Sequence, residues 1–341
     1  MLVAALGAGA TVGALALHHH YAAKLTAPLG PAAAPRSHAS PGTSAAKPTS
    51  APSITPVHLP GWTSPIPVQP LHGNAVISGV SCPSHSVCYA SDSTGGILSS
   101  TPPAGWRKAS VDPSGALVAI SCATTTTCAA VDRSGHVLAL SNGTWSAPAM
   151  VDTGTGTFTG LSCATTTFCI ATDSSGAVYA ETPSGWQQSS VNTGGAQLTG
   201  VSCANTGFCV AVDNRGGALT YNGTSWTGPS AVDAGHALTA VSCATETFCA
   251  AIDDAGNAAM FSGGSWGVVP LGSTMLTVAC PVHGFCMATN GAGHTAAYQD
   301  GTWKPVPATD GSTSIGTLSC ASVTFCVSID GRGNVLYYRP T

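Results

Sequence analysis

The sequence predicts an all-β chain folded into a ring of seven repeated units, and three observations support this prediction. Fourteen cysteines form seven pairs with the spacing Cys-x5-Cys. The first cysteines of successive pairs lie 40, 41, 40, 40, 37 and 40 residues apart. With small departures, each pair is followed by Asp-x-x-Gly, a short alternating run, and then Gly and Trp close together. Periods of about 40–45 residues with short alternating runs are typical of propeller blades, so we predict a seven-bladed β-propeller over residues 59–341.

The fourth copy illustrates how one repeat forms four strands. From the axis outward, the predicted strands are 198–202, 209–212, 218–221 and a strand that begins at Trp226. Asp213 opens a tight turn, because an aspartate can accept hydrogen bonds from nearby backbone and a following glycine tolerates positive φ. Asn222-Gly223 predicts a two-residue hairpin between the third and fourth strands. No segment of the repeat leaves room for a long helix.

The seventh copy predicts how the ring closes. It reaches Thr341 without a tryptophan, whereas a Gly-Trp pair stands before the first copy as Gly61-Trp62. The seven tryptophans then number one per blade. We therefore expect the residues after His58 to supply the outer strand of the last blade, which removes the open edges of a linear array.

The cysteine pairs are predicted to be disulfides. Zinc sites need four ligands that converge, and a thioredoxin-like redox pair has a two-residue spacer beside a helix. Neither pattern is present, and so many cysteines suit an oxidising compartment. Closing each seven-residue loop contributes about 2.4 kcal/mol on the chain-entropy model. The predicted pairs are Cys82–Cys88, Cys122–Cys128, Cys163–Cys169, Cys203–Cys209, Cys243–Cys249, Cys280–Cys286 and Cys320–Cys326.

The N-terminal segment points to export. Residues 2–17 carry no charged side chain and are mostly small or apolar, which predicts a signal peptide or membrane anchor over residues 1–25. No Lys or Arg precedes this apolar core, so we suspect that Met1 is internal to a longer signal. Residues 26–58 are rich in Pro, Ala, Ser and Thr and are expected to form a flexible linker. The predicted location is extracellular or at the cell surface, with membrane attachment through the N-terminal segment as one form.

Charge restricts the partners. Only 7% of the residues are charged, and the chain after residue 58 has 14 acidic and 7 basic residues. A nucleic acid partner needs a positive surface, so we expect none.

One acidic or amide side chain per copy forms the candidate binding set. Two interpretations remain open: a face that binds calcium or a polar ligand, and aspartates that only cap their own turns. No other cofactor is expected. The candidates, on the face that also carries the blade-to-blade loops, are Asp92, Asp132, Asp173, Asp213, Asp253, Asn290 and Asp330.

The sixth copy departs most from the repeat. It has the 37-residue interval, Ala279 in place of the serine before the first cysteine, and Asn290 in place of the aspartate. It also carries His283 and His294, which should face opposite ends of the blade. If one blade carries a functional site of its own, we expect it here; the alternative is that the sequence of this copy has drifted without a functional cause.

The repeats resemble the broad superfamily of bacterial exported β-propellers that includes WD40, YVTN and sialidase-like repeats. The resemblance covers about residues 59–341 and rests on period, blade number and closure. No Trp-Asp pair ends a strand as in WD40 repeats, and Asp132 and Trp145 are 13 residues apart, unlike the compact sialidase Asp-box. The sialidase arginine triad and nucleophilic tyrosine have no counterpart, so no catalytic residue is transferred.

These observations favour a non-enzymatic binding module that takes a glycan or a protein ligand on its loop face. The alternative is a lyase or glycoside hydrolase with one asymmetric pocket at the central channel. Glycoside hydrolysis usually needs two carboxylates across the bond, and the two glutamates, Glu181 and Glu246, lie in different blades. A structural scaffold of the cell envelope is a third hypothesis.

Overall fold

The computed structural model describes residues 61–68, 75–102, 104–113, 115–189, 191–307 and 315–339. The predicted all-β architecture is confirmed: the described chain forms seven sheets, one per repeat, and contains no helix. Within these residues, no helix is long and apolar enough to cross a membrane. The predicted signal or anchor (1–25) and linker (26–58) lie outside the described residues.

We number the blades 1–7 by their cysteine pairs in chain order. The first, innermost strands are Ile77–Ser84, Leu117–Thr124, Phe158–Thr165, Leu198–Asn205, Leu238–Thr245, Thr277–Val282 and Ile315–Ser322. The second strands are Val87–Asp92, Thr127–Asp132, Phe168–Asp173, Phe208–Asp213, Phe248–Asp253, Phe285–Thr289 and Phe325–Asp330. The third strands are Gly96–Ser100, His136–Ser141, Val178–Thr182, Gly217–Tyr221, Asn257–Ser262, Thr295–Gln299 and Asn334–Tyr338.

The fourth, outer strands are Trp106–Val111 in blade 1, the two pieces Thr144–Trp145 and Ala149–Met150 in blade 2, Gly185–Ser189, Trp226–Ala231, Ser265–Pro270, Thr302–Val306, and Ile66–Pro67 in blade 7. All pairings within a blade are antiparallel, and each first strand contacts the first strands of its two neighbours around the ring. The strands of each blade run between the two faces of the ring. We call the end with the Asp-x-x-Gly turns and blade-to-blade connections the turn face, and the end with the Cys-x5-Cys hairpins the disulfide face.

The predicted closure by the N-terminal strand is confirmed. Ile66 pairs with Val335 and Trp62 forms a bridge with Tyr338, so the outer strand of blade 7 comes from the start of the described chain. The Trp62 ring packs 5.7 Å from the Tyr338 ring, and its indole Nε1 donates to Thr295 Oγ1 of blade 6 at 3.3 Å. The closing segment thus contacts both of the blades that meet there.

The outer strand of blade 2 is in two pieces, Thr144–Trp145 and Ala149–Met150. One local expectation needs correction. Asn222-Gly223 does not form a two-residue hairpin. Tyr221 pairs with Trp226 across a four-residue loop, in which Asn222 Oδ1 accepts from the backbone of residues 224 and 225. Asn142-Gly143, with positive φ at both residues, does form the two-residue turn.

Aromatic side chains connect neighbouring blades beneath the disulfide face. Phe208 of blade 4 stacks on Phe261 of blade 5 at 6.1 Å, and Phe261 packs against Trp266 of its own blade at 5.2 Å. Phe248 continues the pattern onto Tyr298 of blade 6. This packing explains both the phenylalanine before the second cysteine and the tryptophan of the outer strand, because aromatic pairs add stabilisation beyond their buried area.

The serine before each first cysteine also links blades. Its Oγ accepts a hydrogen bond of 2.9–3.0 Å from the backbone N–H of the first cysteine in the next blade. The acceptors are Ser81, Ser121, Ser162, Ser202, Ser242 and Ser319. Blade 6 has Ala279 at this position, which offers no hydroxyl to Cys320 of blade 7. This circle of serine-to-cysteine hydrogen bonds between neighbouring blades, the serine band, therefore lacks the bond between blades 6 and 7.

Candidate functional site

The seven predicted cysteine pairs are disulfides, and no described cysteine is free. In five blades the two half-cystines face each other directly across the hairpin, as Cys203 and Cys209 do. Their Cα–Cα separations are short, for example 3.9 Å for Cys203–Cys209. The disulfides therefore link the first and second strands of each blade at one face of the ring and leave no described cysteine as a thiol.

The seven candidate binding residues lie one per blade and are buried, between 0 and 5% exposed. In each blade Oδ1 accepts two backbone hydrogen bonds of 2.7–2.9 Å, from the residues two and four positions later. Asp213 Oδ1, for example, accepts from Arg215 and Gly217. This is the turn-capping geometry.

The second carboxylate oxygen also has a side-chain partner in Asp132, Asp173, Asp253 and Asp330. Asp253 Oδ2 accepts from Asn257 Nδ2 at 2.7 Å, and Asp330 Oδ2 accepts from Asn334 Nδ2 at 2.8 Å. Among the described residues no group of three or more His, Cys, Asp or Glu side chains could hold a metal ion. The geometry therefore favours turn capping over the calcium interpretation at these seven positions.

Aspartates of the blade-to-blade connections bring second carboxylates to two of these turns. Tyr179 Oη donates to Asp152 Oδ1 at 2.8 Å and lies 3.4 Å from Asp173 Oδ2, so the phenol bridges two buried carboxylates. Burial, together with the hydrogen bond to Asp152, raises the pKa of Tyr179. The phenol therefore stays protonated and separates the two charges.

In blade 5 the two carboxyl groups interact directly. A hydrogen bond to Asp253, followed by burial, raises the pKa of Asp233 above its ordinary value. Burial opposes ionisation of Asp253, yet hydrogen bonds from Asn257 keep the pKa of Asp253 below its ordinary value. Asp233 therefore keeps its proton to a higher pH than Asp253 does.

The central channel holds a cavity of about 290 Å³. Three consecutive residues from each blade line it: 78–80, 118–120, 159–161, 199–201, 239–241, 276–278 and 316–318. All of them are Gly, Ala, Val, Leu, Ile, Ser or Thr. No side chain in this lining can exchange a proton near neutral pH, which is the chemistry that acid–base catalysis requires.

A second concave site lies at the outer rim of the turn face, between blades 5 and 6. We call it the blade-6 groove. Its volume is about 350 Å³, and it is bounded by the connection from blade 5, residues 270–275, and by the third and fourth strands of blade 6. Leu271, Met275, Trp303 and Val306 supply apolar surface. The sequence signalled this position only through the departures of the sixth copy from the repeat.

Polar groups at the blade-6 groove differ from those of the other blades. His294 and Lys304 line the groove and are exposed. Asn290 Nδ2 donates to His294 Nδ1 at 3.1 Å, whereas in blade 2 the corresponding His136 Nδ1 lies 3.0 Å from the Asp132 carboxylate. His283, as expected, lies at the opposite end of the blade, where it packs on Phe248 at 4.7 Å.

No family model matches the chain. No curated protein matches it either. Solved structures match the fold at low identity. YCF48 bound to D1 peptide is 17% identical with a TM-score of 0.66, over 83% of this chain and all of that chain. The WD40 repeats of RRP9 are 12% identical with a TM-score of 0.70, over 84% and 100% of the two chains.

A catalytically inactive virginiamycin B lyase from Staphylococcus aureus, solved with quinupristin, is 8% identical with a TM-score of 0.68, over 80% and 97% of the two chains. At these identities the likeness concerns the fold alone. The chain is a seven-bladed β-propeller whose structural neighbours include WD40-repeat and other propeller proteins.

Proposed function

We propose that the protein is a non-enzymatic binding module, exported or displayed at the cell surface, whose ligand is a segment of another protein. The observation that carries the proposal is the blade-6 groove. It is concave, largely apolar and bordered by two polar side chains, His294 and Lys304, which is the usual construction of a ligand site. It occurs in the one blade that departs most from the repeat.

The central channel and the aspartate turns do not compete for this role. The channel lining is uncharged, and the turn aspartates already bind their own backbone. An enzymatic function would need a general acid, base or nucleophile in a cleft. The channel lining has no group that titrates near neutral pH, and the turn aspartates are buried and hydrogen-bonded to their own turns. A lyase or hydrolase at the channel is therefore the weaker alternative.

Protein ligands are favoured over glycans by two further considerations. YCF48 was solved with a D1 peptide, so a propeller with this fold can bind a peptide. The phenylalanines before the second cysteines, whose rings could otherwise stack on a sugar, are engaged internally: Phe248, Phe285 and Phe325 are buried, and Phe168 stacks on Tyr221. Fold likeness alone does not transfer function, and so the groove carries the argument.

Export is supported by the cysteines. Seven disulfides and no free described cysteine suit an oxidising compartment, since reducing cytosol keeps thiols reduced. A fusion of alkaline phosphatase after residue 341 would test this, because the enzyme is active only where its own disulfides form. Activity in intact cells is expected, and a persistently inactive fusion would contradict export.

The binding function is tested by presenting the oxidised full chain in parallel to a phage-displayed library of random dodecapeptides and to a glycan array. We expect enrichment of peptide clones and no glycan above background. Glycan binding without peptide enrichment would replace the protein ligand by a carbohydrate. Binding to neither would contradict a binding module and favour the envelope scaffold.

A further inference from the structure

The floor of the blade-6 groove is apolar and rigidly held. Met275 and Val306 are 3% and 4% exposed, and the ring of Trp303 packs 5.6 Å from that of Tyr298. Leu271 is half-buried at the edge. Such a floor favours a ligand that brings apolar side chains, because burying apolar surface is the main favourable term in association.

The rim of the groove carries one cation, Lys304, beside His294, whose Nδ1 accepts a hydrogen bond from Asn290. None of the described lining residues is Asp or Glu. Among the described residues the ion pairs are His136–Asp132 and His236–Asp254, so Lys304 belongs to neither. Asn290 replaces the turn aspartate that the other six blades have, which removes a negative charge within hydrogen-bond distance of His294.

The combination of a histidine, a lysine and a turn without an aspartate occurs in one blade only of the described ring. The residue after the blade tryptophan is basic in blade 1 as well, Arg107, but there the third strand begins with Gly96 after an aspartate. In blade 2 the histidine is present but is paired with Asp132, and Ser146 follows the tryptophan. Only blade 6 joins a histidine, a lysine and an uncharged turn. In a chain of net charge −4, such a local positive rim can attract an anionic ligand.

An exposed apolar edge leads into the groove. Val268 and Val269 are 42% and 38% exposed on the outer strand Ser265–Pro270, which continues into the groove-lining residues 270–273. An outer strand of a blade leaves backbone N–H and C=O groups on its open side. Extended peptides bind such edges with main-chain hydrogen bonds while alternate side chains fill adjacent pockets.

We infer that the blade-6 groove binds an extended peptide segment in which a carboxylate, from Asp, Glu or a C-terminus, lies next to apolar side chains. This inference rests on the proposed function and names the chemistry of its ligand. The apolar residues occupy the floor formed by Leu271, Met275 and Trp303, and the carboxylate lies at Lys304 and His294.

The test begins with the dodecapeptide clones enriched by the full chain. We expect a consensus with an acidic residue beside Leu, Ile, Val or Phe. The synthetic consensus peptide is then titrated by fluorescence anisotropy against the full chain and its variants. Lys304→Glu should weaken binding at least tenfold. Asn290→Asp, which restores the residue found in the other blades, should weaken it several-fold without disturbing the turn.

Arg107→Glu is the matched control, because Arg107 follows its blade tryptophan as Lys304 does and is also exposed; it should leave affinity unchanged. Replacing the acidic residue of the peptide by its amide should reproduce the loss of affinity caused by Lys304→Glu.

Enrichment of a consensus without acidic residues, or equal effects of Lys304→Glu and Arg107→Glu on affinity, would overturn the inference while the proposed function stands. Failure to enrich any peptide would overturn both. If the chain instead formed dimers that depend on Lys304 and bound no peptide, the inference of a separate peptide partner would be wrong, and a second copy of the chain would be the ligand.

Discussion

In each blade, the residue four positions after the second cysteine determines whether the turn between the second and third strands contains an acidic group. Six blades place an aspartate there and blade 6 places Asn290, yet all seven residues accept the same two backbone hydrogen bonds. The capping role needs an oxygen and not a charge. The asparagine therefore keeps the fold of blade 6 while it changes the electrostatics next to His294.

This equivalence makes a prediction at Asp213. Asp213→Ala removes the acceptor of two backbone N–H groups, of which that of Gly217 is buried and that of Arg215 part-buried; an unsatisfied buried group costs about 1–3 kcal/mol. Asp213→Asn retains the acceptor, as Asn290 does, and should lose less. Urea unfolding of both variants measures the difference. A loss as large in Asp213→Asn as in Asp213→Ala would show that the charge, and not the acceptor, holds the turn.

The Asp233–Asp253 pair makes a pH-dependent prediction. The pKa of Asp233 is raised by its hydrogen bond to Asp253 and by burial. The protonated Asp233 side chain therefore contributes to the stability of the folded state at low pH, and this contribution is lost as the pH rises through that pKa. Asp233→Asn should therefore stabilise the protein at pH 7 relative to wild type and change it little near pH 3. Thermal unfolding at both values measures this; a gain that is larger at the acidic end would contradict the assignment.

At the scale of the elements, the cysteine period predicted the blades, the disulfides and the closing strand, because each depends on residues repeated in every copy. Loop geometry was less predictable. Asn142-Gly143 forms a two-residue turn, whereas Asn222-Gly223 opens a four-residue loop, since the Asn222 side chain accepts from residues 224 and 225 instead. The groove could not be predicted in shape, because it forms only where the connection from blade 5 meets the outer strand of blade 6.

The open position in the serine band predicts opposite effects of two substitutions. Ala279→Ser should supply the missing acceptor for the Cys320 N–H and stabilise the ring by about 1 kcal/mol, the typical worth of one hydrogen bond. Ser242→Ala should remove the existing bond to Cys280 and destabilise it by a similar amount. Denaturant midpoints of the two variants measure both changes. Destabilisation by Ala279→Ser would mean that blade 6 cannot accommodate the serine conformation of its neighbours.

At the scale of the whole molecule, closure by the segment around Trp62 should matter more than any single outer strand. Trp62 is 3% exposed and contacts two blades, whereas Trp226 is only half-buried and packs on Tyr221 of its own blade. Trp62→Ala should cost about 3–5 kcal/mol, and Trp226→Ala clearly less. Comparison of their unfolding free energies tests this, and equal losses would argue that closure adds nothing beyond local packing.

Within the described residues a ligand could bind at the aspartate turns, in the channel, in the blade-6 groove, or in a cavity of about 400 Å³ on the disulfide face beside His85, Phe325 and Arg339. Hydrogen exchange of the full oxidised chain, with and without the selected dodecapeptide, distinguishes them most directly. We expect added protection in residues 265–276 and 294–306, and in neither the channel strands nor the Cys-x5-Cys hairpins. Protection that appears in the first strands around the channel, or equally in every blade, would contradict the central claim that one asymmetric groove in blade 6 is the binding site.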